Sequence, residues 1–346
     1  MTMQYQWAVI GAGPAGIAAV GRLLDHGIDG RQILWLDQDF CAGDLGAKWR
    51  HVSSNTSVAL FLDYLYASPS FRFAQAPAFA LTETDPAQTC ALDLVADPLM
   101  WVTGQLQRQV TARKGRVSDV HLRNRQWTLT TEAGEVIARN VILAVGADAR
   151  KLDHPTLTEI AVEDALNPDR LALLPLDGAT VAVFGSSHST MIALPNLLNT
   201  RVARVINFYR SPLRYAVAQD GWTLYDDIGL KGHAAQWARE NIDGALPPRL
   251  ERVCVHDNDF ESALRRCDHV VYTIGFERRN SPLTPQWGQL NHNPANGIIA
   301  PGLFGCGIAF PRQRQDPFGF TQQRVGLHKF MTDITEAMPV WLKYGT

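Results

Sequence analysis

The sequence predicts an α/β fold made of two Rossmann-like dinucleotide-binding units. Three observations predict it: an apolar strand breaking into a glycine turn near the N-terminus, a second strand-turn-helix of the same grammar beginning at Thr180, and short buried strands ending in glycine elsewhere. The first turn is Trp7-Ala8-Val9-Ile10-Gly11-Ala12-Gly13-Pro14-Ala15-Gly16. Gly11 permits the tight turn, Gly13 lets the backbone approach a pyrophosphate, and Gly16 lets the new helix pack closely on its strand. A pyrophosphate there sits on the helix N-terminus, where free N–H groups and the helix dipole favour anions. A periodic helix over 17–24 follows. The next strand, Ile33-Leu34-Trp35-Leu36, ends in Asp37, 21 residues past Gly16, with Gln38 beside it. An acid at that spacing bonds a ribose hydroxyl.

The 346 residues set an expectation of about two domains, and 46% hydrophobic residues suffice for a core in each. A net charge of −2 and a pI near 6.5, with Lys and Arg scattered, give no nucleic-acid or membrane-surface signature. The five cysteines, Cys41, Cys90, Cys254, Cys267 and Cys306, contain no C-x-x-C pair, which argues against a disulfide framework, a zinc site and a dithiol redox centre. No metal is expected. The first strand begins too close to Met1 for a signal peptide, and no apolar run would span a bilayer, so the expected location is the cytoplasm.

The second unit opens with Thr180-Val181-Ala182-Val183-Phe184, runs into Gly185-Ser186-Ser187-His188-Ser189-Thr190, and continues as a helix over 191–198. Its next strand, 202–208, ends in Tyr209-Arg210-Ser211-Pro212-Leu213-Arg214 rather than an acid. Acids at this place favour a bare ribose and arginines accommodate the 2′-phosphate of NADP, so the first unit reads as an FAD site and the second as an NADPH site, with NADH the alternative donor. Between the units, residues 116–122 and 126–131 alternate with period two about a short polar turn, an antiparallel hairpin that begins at Val117. Val136-Ile137 and 141–146 return to the buried parallel type, as do 269–275. A Pro/Asn/Gly stretch over 281–297, the strand 302–307 and a final helix from about Thr321 complete the chain.

In this order of parts the chain resembles the two-dinucleotide-binding-domain flavoproteins, and within them the flavin-containing monooxygenases, over nearly its whole length. The resemblance implies an NAD(P)H domain at 156–289 inserted in an FAD domain formed by 1–155 and 290–346. Val145-Gly146 and Thr273-Ile274-Gly275-Phe276 resemble the family's two crossovers. Gly46-Ala47-Lys48-Trp49-Arg50 is similar to its Gly-Gly-x-Trp segment, and Gln322-Gln323-Arg324 to its Gln-x-Arg-Trp helix start beneath the flavin. Val52-Ser53-Ser54-Asn55-Thr56-Ser57 is similar to its Ser-Asn-x-Ser segment, whose asparagine lies near the reactive flavin edge. Asn55 is therefore the candidate catalytic residue, an uncharged donor to a flavin hydroperoxide or bound oxygen; the other reading is that it only makes a turn. Lys48, Trp49, Val117, Gly146, Gly275, Gly307, Ile308 and Gln322 join the two turns as candidate cofactor contacts.

The second turn departs from the pattern, with Ser187 and Thr190 where Gly13 and Gly16 stand in the first. A side chain at Ser187 crowds the approach of a pyrophosphate. Ser186, Ser187 and Ser189 offer hydroxyl donors and His188 a phosphate partner, or else the serines only cap the helix. Arg210 and Arg214 are 2′-phosphate ligands or a solvated surface pair. Gly307-Ile308 replaces the Gly-Asp of the disulfide reductases, which favours the monooxygenases, while the Baeyer–Villiger fingerprint is absent. Cys306 reads as a packing residue rather than a redox centre; Trp222, Tyr225 and Trp237 receive no role. The implied activity is an FAD-dependent, NADPH-using monooxygenase that forms a C4a-hydroperoxyflavin and oxygenates a small soft nucleophile, an amine or sulfide, with O₂. An NAD(P)H:acceptor reductase or oxidase is the alternative, and a flavin-binding redox sensor with little turnover the third reading.

Overall fold

The computed structural model describes residues 4–345. Its centre is a sheet whose strands run in the order Ile298–Ala300, Leu303–Gly305, Gly134–Leu143, Gln4–Ile10, Ile33–Asp37 and Thr111–Lys114. All neighbours are parallel except the first pair. The hairpin Val117–Arg123 and Gln126–Thr131 attaches antiparallel to Gly134–Leu143. A second sheet, wholly parallel, has the order Thr158–Glu159, His269–Tyr272, Thr180–Phe184, Arg204–Tyr209 and Leu250–Cys254. The first sheet thus draws its strands from both ends of the chain, and the second lies between them in sequence. The two passages of chain between the sheets, Ala147–Ala149 and Phe276–Arg278, pair antiparallel with each other.

Burial follows the strand pattern. Gln4–Ile10 and Ile33–Asp37 are apolar on both faces because helices cover one side and the hairpin layer the other. The Pro14–Asp25 helix lies between the first sheet and the C-terminal helix Leu327–Tyr344, with Ile17, Val20, Ile334 and Met338 in one cluster. Trp35, fully buried, donates from Nε1 to the Gly11 carbonyl at 2.9 Å and so ties the second strand to the turn after the first.

Three sequence expectations change. Val136-Ile137 and 141–143 form one strand, Gly134–Leu143, because its first half pairs antiparallel with the hairpin while its second half lies parallel to Gln4–Ile10. The final helix begins at Leu327, not Thr321. Residues Arg312–Gln315 and Thr321–Arg324 form a hairpin instead, closed by Asp316, whose carboxylate accepts from the Phe318 and Phe320 backbone N–H groups, and by Gly319 at φ +84°. Gln322 accordingly lies on a strand rather than at a helix start, so no helix dipole operates at that position. Trp222, in a stretch without strand signal, is in the short strand Trp222–Leu224.

Replacing Trp35 by Phe removes the indole N–H, which leaves the Gly11 carbonyl without its donor, together with part of a fully buried ring. Urea unfolding is expected to show a loss of about 1–3 kcal/mol; an unchanged midpoint would show that this hydrogen bond does not hold the turn.

Candidate functional site

The first turn is assembled from backbone constraints. Gly11 sits at φ +108°, and a Cβ there would lie 2.3 Å from the Ala144 carbonyl oxygen. A Cβ on Gly16 would lie 1.9 Å from the Gly11 carbonyl oxygen, so the helix approaches its strand at a distance only glycine allows. Gly13, by contrast, has only the Gly43 Cα, at 3.8 Å, near such a position. Gly13 is also the N-cap of the Pro14–Asp25 helix, with no side-chain cap and no acid in the first turn. The amide groups of Ala15 and Gly16 are therefore open to an anion.

Asp37 stands across from this turn. Its Oδ2 accepts from the Ala12 N–H at 2.8 Å, and its Oδ1 from the Asp39 and Phe40 N–H groups at 2.9 and 2.7 Å. Gly11, Asp37, Gln38, Lys48 and Val117 line one cavity of about 880 Å³. Arg279 lines it as well and was not visible as a site residue in the sequence. It bonds Asp148 at 2.8 Å and Asp44 at 2.5 Å, which hold its guanidinium even more firmly charged, and it stands 3.2 Å from where a Cβ on Gly146 would be. An uncapped helix start, a fixed carboxylate and an adjoining cavity of this size fit FAD: the backbone would take the pyrophosphate and Asp37 a ribose hydroxyl.

Other candidates flank this region. Gly307, at φ +77°, lies where a Cβ would come 2.7 Å from the Ala15 Cβ, so the end of the last parallel strand abuts the first turn. Ile308 packs on the main core. Trp49 meets Phe276 edge to face at 6.0 Å, and Lys48 pairs with Asp44 at 4.0 Å. Gly275 is at φ +94° and its carbonyl accepts from Arg150 N–H at 2.9 Å. Cys306 is buried, its thiol pushed up to about 12 by loss of hydration, so it is no thiolate nucleophile at neutral pH. All five cysteines are unpaired. Gln322 lies on the strand Thr321–Arg324 of the hairpin, its Nε2 3.4 Å from Asp316 Oδ2.

The second turn is closed where the first is open. Gly185, at φ +134°, nests against Thr273 and Thr190. Ser187 caps the His188–Leu198 helix, and Thr190 returns a bond to the Ser187 N–H at 3.2 Å, a reciprocal capping box. Thr190 Oγ1 also lies 2.8 Å from Thr273 Oγ1. His188 turns away from the helix axis: its Nε2 donates to the Ser53 carbonyl at 3.1 Å, and burial holds its pKa below the usual 6.5. The ring is thus neutral at neutral pH, and His188 joins the helix to the strand that carries Asn55. Ser186 and Ser189 flank it, half-buried. Asn55 is in the strand Ser53–Ser57, exposed, with its Oδ1 accepting from Thr56 Oγ1 at 3.2 Å. Arg210 and Arg214 are exposed, and Arg214 stands over the Tyr225 ring at 5.2 Å.

No family model matches the chain. Among curated proteins, monooxygenase AgnR1 of Paecilomyces divaricatus is 32% identical over 381 residues, spanning 96% of this chain and 97% of that protein. The chain belongs to the same monooxygenase family as that protein, on a fold it shares with flavin-containing monooxygenases of known structure. A flavin-containing monooxygenase from Stenotrophomonas maltophilia has the same fold at 17% identity and TM-score 0.66, with 99% of each chain covered. An oxidised steroid monooxygenase bound to NADP matches at 14% identity and TM-score 0.61, over 99% of this chain and 87% of its own. The thioredoxin reductase of Lactococcus lactis does so at 15% and 0.59, with 98% of each covered. Among the described residues no group of His, Cys, Asp or Glu is arranged to hold a metal ion, and no helix is long and apolar enough to cross a membrane.

His188 yields a pH dependence. Because its folded pKa lies below 6.5, the unfolded chain binds the proton more readily, and stability falls as pH drops through the ordinary histidine range. A melting series from pH ~7 to ~5 should therefore fall more steeply for the native chain than for His188→Asn; parallel curves would show that His188 is not held neutral.

Proposed function

We propose that this chain is an NADPH-dependent monooxygenase that oxygenates a small soft nucleophile, an amine or a sulfide, with O₂ as co-substrate. In this proposal residues 1–155 and 290–346 hold FAD and residues 156–289 hold NADPH. The observation that carries it is the bond from His188 Nε2 to the Ser53 carbonyl, which joins the first turn of the second helix to the strand of Asn55. Nicotinamide and flavin must meet for reduction, and this is where the two units touch beside an uncharged amide.

Bound FAD supplies two-electron transfer and the activation of O₂. The protein binds, orients and excludes water. Asp37 and the amides after Gly13 anchor the FAD end; His188, a neutral donor, sets the position of the Asn55 strand; and Asn55 offers an N–H donor without the charge that a dry pocket would penalise. The absence of a C-x-x-C motif separates this chain from dithiol chemistry on the same fold.

One observation favours a second reading, an NAD(P)H:acceptor reductase or oxidase. Asn55 is exposed and its amide oxygen is engaged by Thr56, whereas oxygen transfer requires a site closed to water.

The two part company when the FAD-loaded protein oxidises NADPH in air with an alkyl amine or an alkyl aryl sulfide present. Incorporation of heavy-isotope oxygen into product identifies the monooxygenase; stoichiometric hydrogen peroxide without oxygenated product overturns it. Asn55→Ala is expected to leave anaerobic flavin reduction within about twofold of the native rate while product per NADPH falls about tenfold or more. Unchanged coupling would remove Asn55 from the chemistry.

A further inference from the structure

A second open cavity, of about 520 Å³, adjoins the one that fits FAD, and the chemistry proposed above does not use it. Residues 279–283 wall both cavities. The lining of the second joins apolar groups, among them Leu143, Val145, Leu290 and Phe310, to the cation of Arg278. Arg278 closes the strand Phe276–Arg278, in register with Ala147. Its Nη1 donates to the Leu290 carbonyl at 2.8 Å, and its guanidinium carbon stands 4.8 Å from the Phe310 ring centroid. That ring is itself fixed. It is buried, a Cβ on Gly305 would come 2.3 Å from its Cγ, and His292, whose Nε2 donates to the Pro311 carbonyl at 2.9 Å, meets it edge to face at 5.6 Å. Nε and Nη2 of Arg278 have no hydrogen-bond partner among the described residues, and they stay open to solvent.

The adjacent arginine supplies the contrast. Arg279 is held by Asp44 and Asp148, whereas among the described residues no carboxylate forms an ion pair with Arg278. Glu277 lines the same cavity without pairing with it, and burial alone acts on the Arg278 guanidinium, lowering its pKa while leaving it charged. A half-buried cation without a counter-ion is unfavourable, and a planar fork held against an aromatic ring matches a carboxylate through two parallel bonds. A bare inorganic anion would satisfy the fork but leave the apolar lining wet. The volume is that of a site for a small organic molecule.

We infer that this cavity binds an organic acid, its carboxylate on the free Nε and Nη2 edge of Arg278 and its apolar body against Leu143, Val145 and Leu290. The site is separate from the FAD cavity and stands whichever reaction the flavin performs.

The test is calorimetric titration of the FAD-loaded full chain with benzoate, with benzyl alcohol as its neutral counterpart and inorganic phosphate as the bare anion. Benzoate is expected to bind once per chain, about tenfold or more tighter than either control, while the flavin stays bound. Arg278→Gln is expected to weaken benzoate by about tenfold or more and to leave benzyl alcohol within about twofold. Benzoate that fails to bind the native chain, or binds it no better than the alcohol, overturns the inference, as does equal binding to Arg278→Gln. Phosphate that binds as tightly as benzoate rejects the organic acid. Release of FAD by benzoate assigns the cavity to the cofactor and overturns the separate site. Should Arg278→Gln lose its FAD or melt, Asn280→Asp places a competing carboxylate on the exposed shared wall; weakened benzoate binding upholds the inference and unchanged binding rejects it.

Discussion

The peptide of Gly11 is the constraint on which the first turn and the helix after it depend. Its N–H donates to the Leu36 carbonyl at 2.8 Å, its carbonyl accepts from Trp35 Nε1, and its Cα faces the Ala144 carbonyl too closely for any Cβ. Three parallel strands therefore end around one peptide plane. The same carbonyl sets how near Gly16 approaches, and hence where the helix axis points. Ala12 follows from it directly, its N–H aimed at Asp37. Packing of the apolar core on both faces of the strands then makes this geometry stiff rather than merely allowed.

The two turns differ in what they leave unsatisfied. The first helix begins at a glycine with no cap, so its first amide groups remain available; in the second, the Thr190 amide and the Ser187 N–H are taken up by a capping box. A ligand at the first turn completes the hydrogen bonding of the fold, whereas one at the second must compete with bonds already made. That asymmetry matches a cofactor that stays against one that exchanges. His188 contributes to the difference by spending its donor on the Ser53 carbonyl instead of on a ligand.

Local grammar was legible in the sequence. The strand, the glycine spacing and Asp37 lie within a single strand-helix-strand unit, and period-two alternation disclosed the hairpin over 117–131, because each of these is specified by neighbours in the chain. What the sequence concealed depends on partners far away. Gly134–Leu143 is one strand because two different neighbours pair with its halves. Thr321–Arg324 carries a polar run compatible with a helix start, and the Asp316 turn overrides it by pairing the run with Arg312–Gln315. Arg279 and Asp44 are 235 positions apart, and the Arg252–Asn207 bond crosses between two strands that the helix Gly232–Asn241 separates in sequence. No spacing rule reports such pairs.

The two passages of chain between the sheets are bonded to each other, Ala147–Ala149 against Phe276–Arg278, and Arg279 clamps the end of that pair to Asp148. Two independent tethers would let the second sheet wander in several directions relative to the first. Zipped into a ribbon by backbone hydrogen bonds, neither passage can shift without the other. The ribbon and the His188–Ser53 bond thus tie the second unit to the first at two separate places.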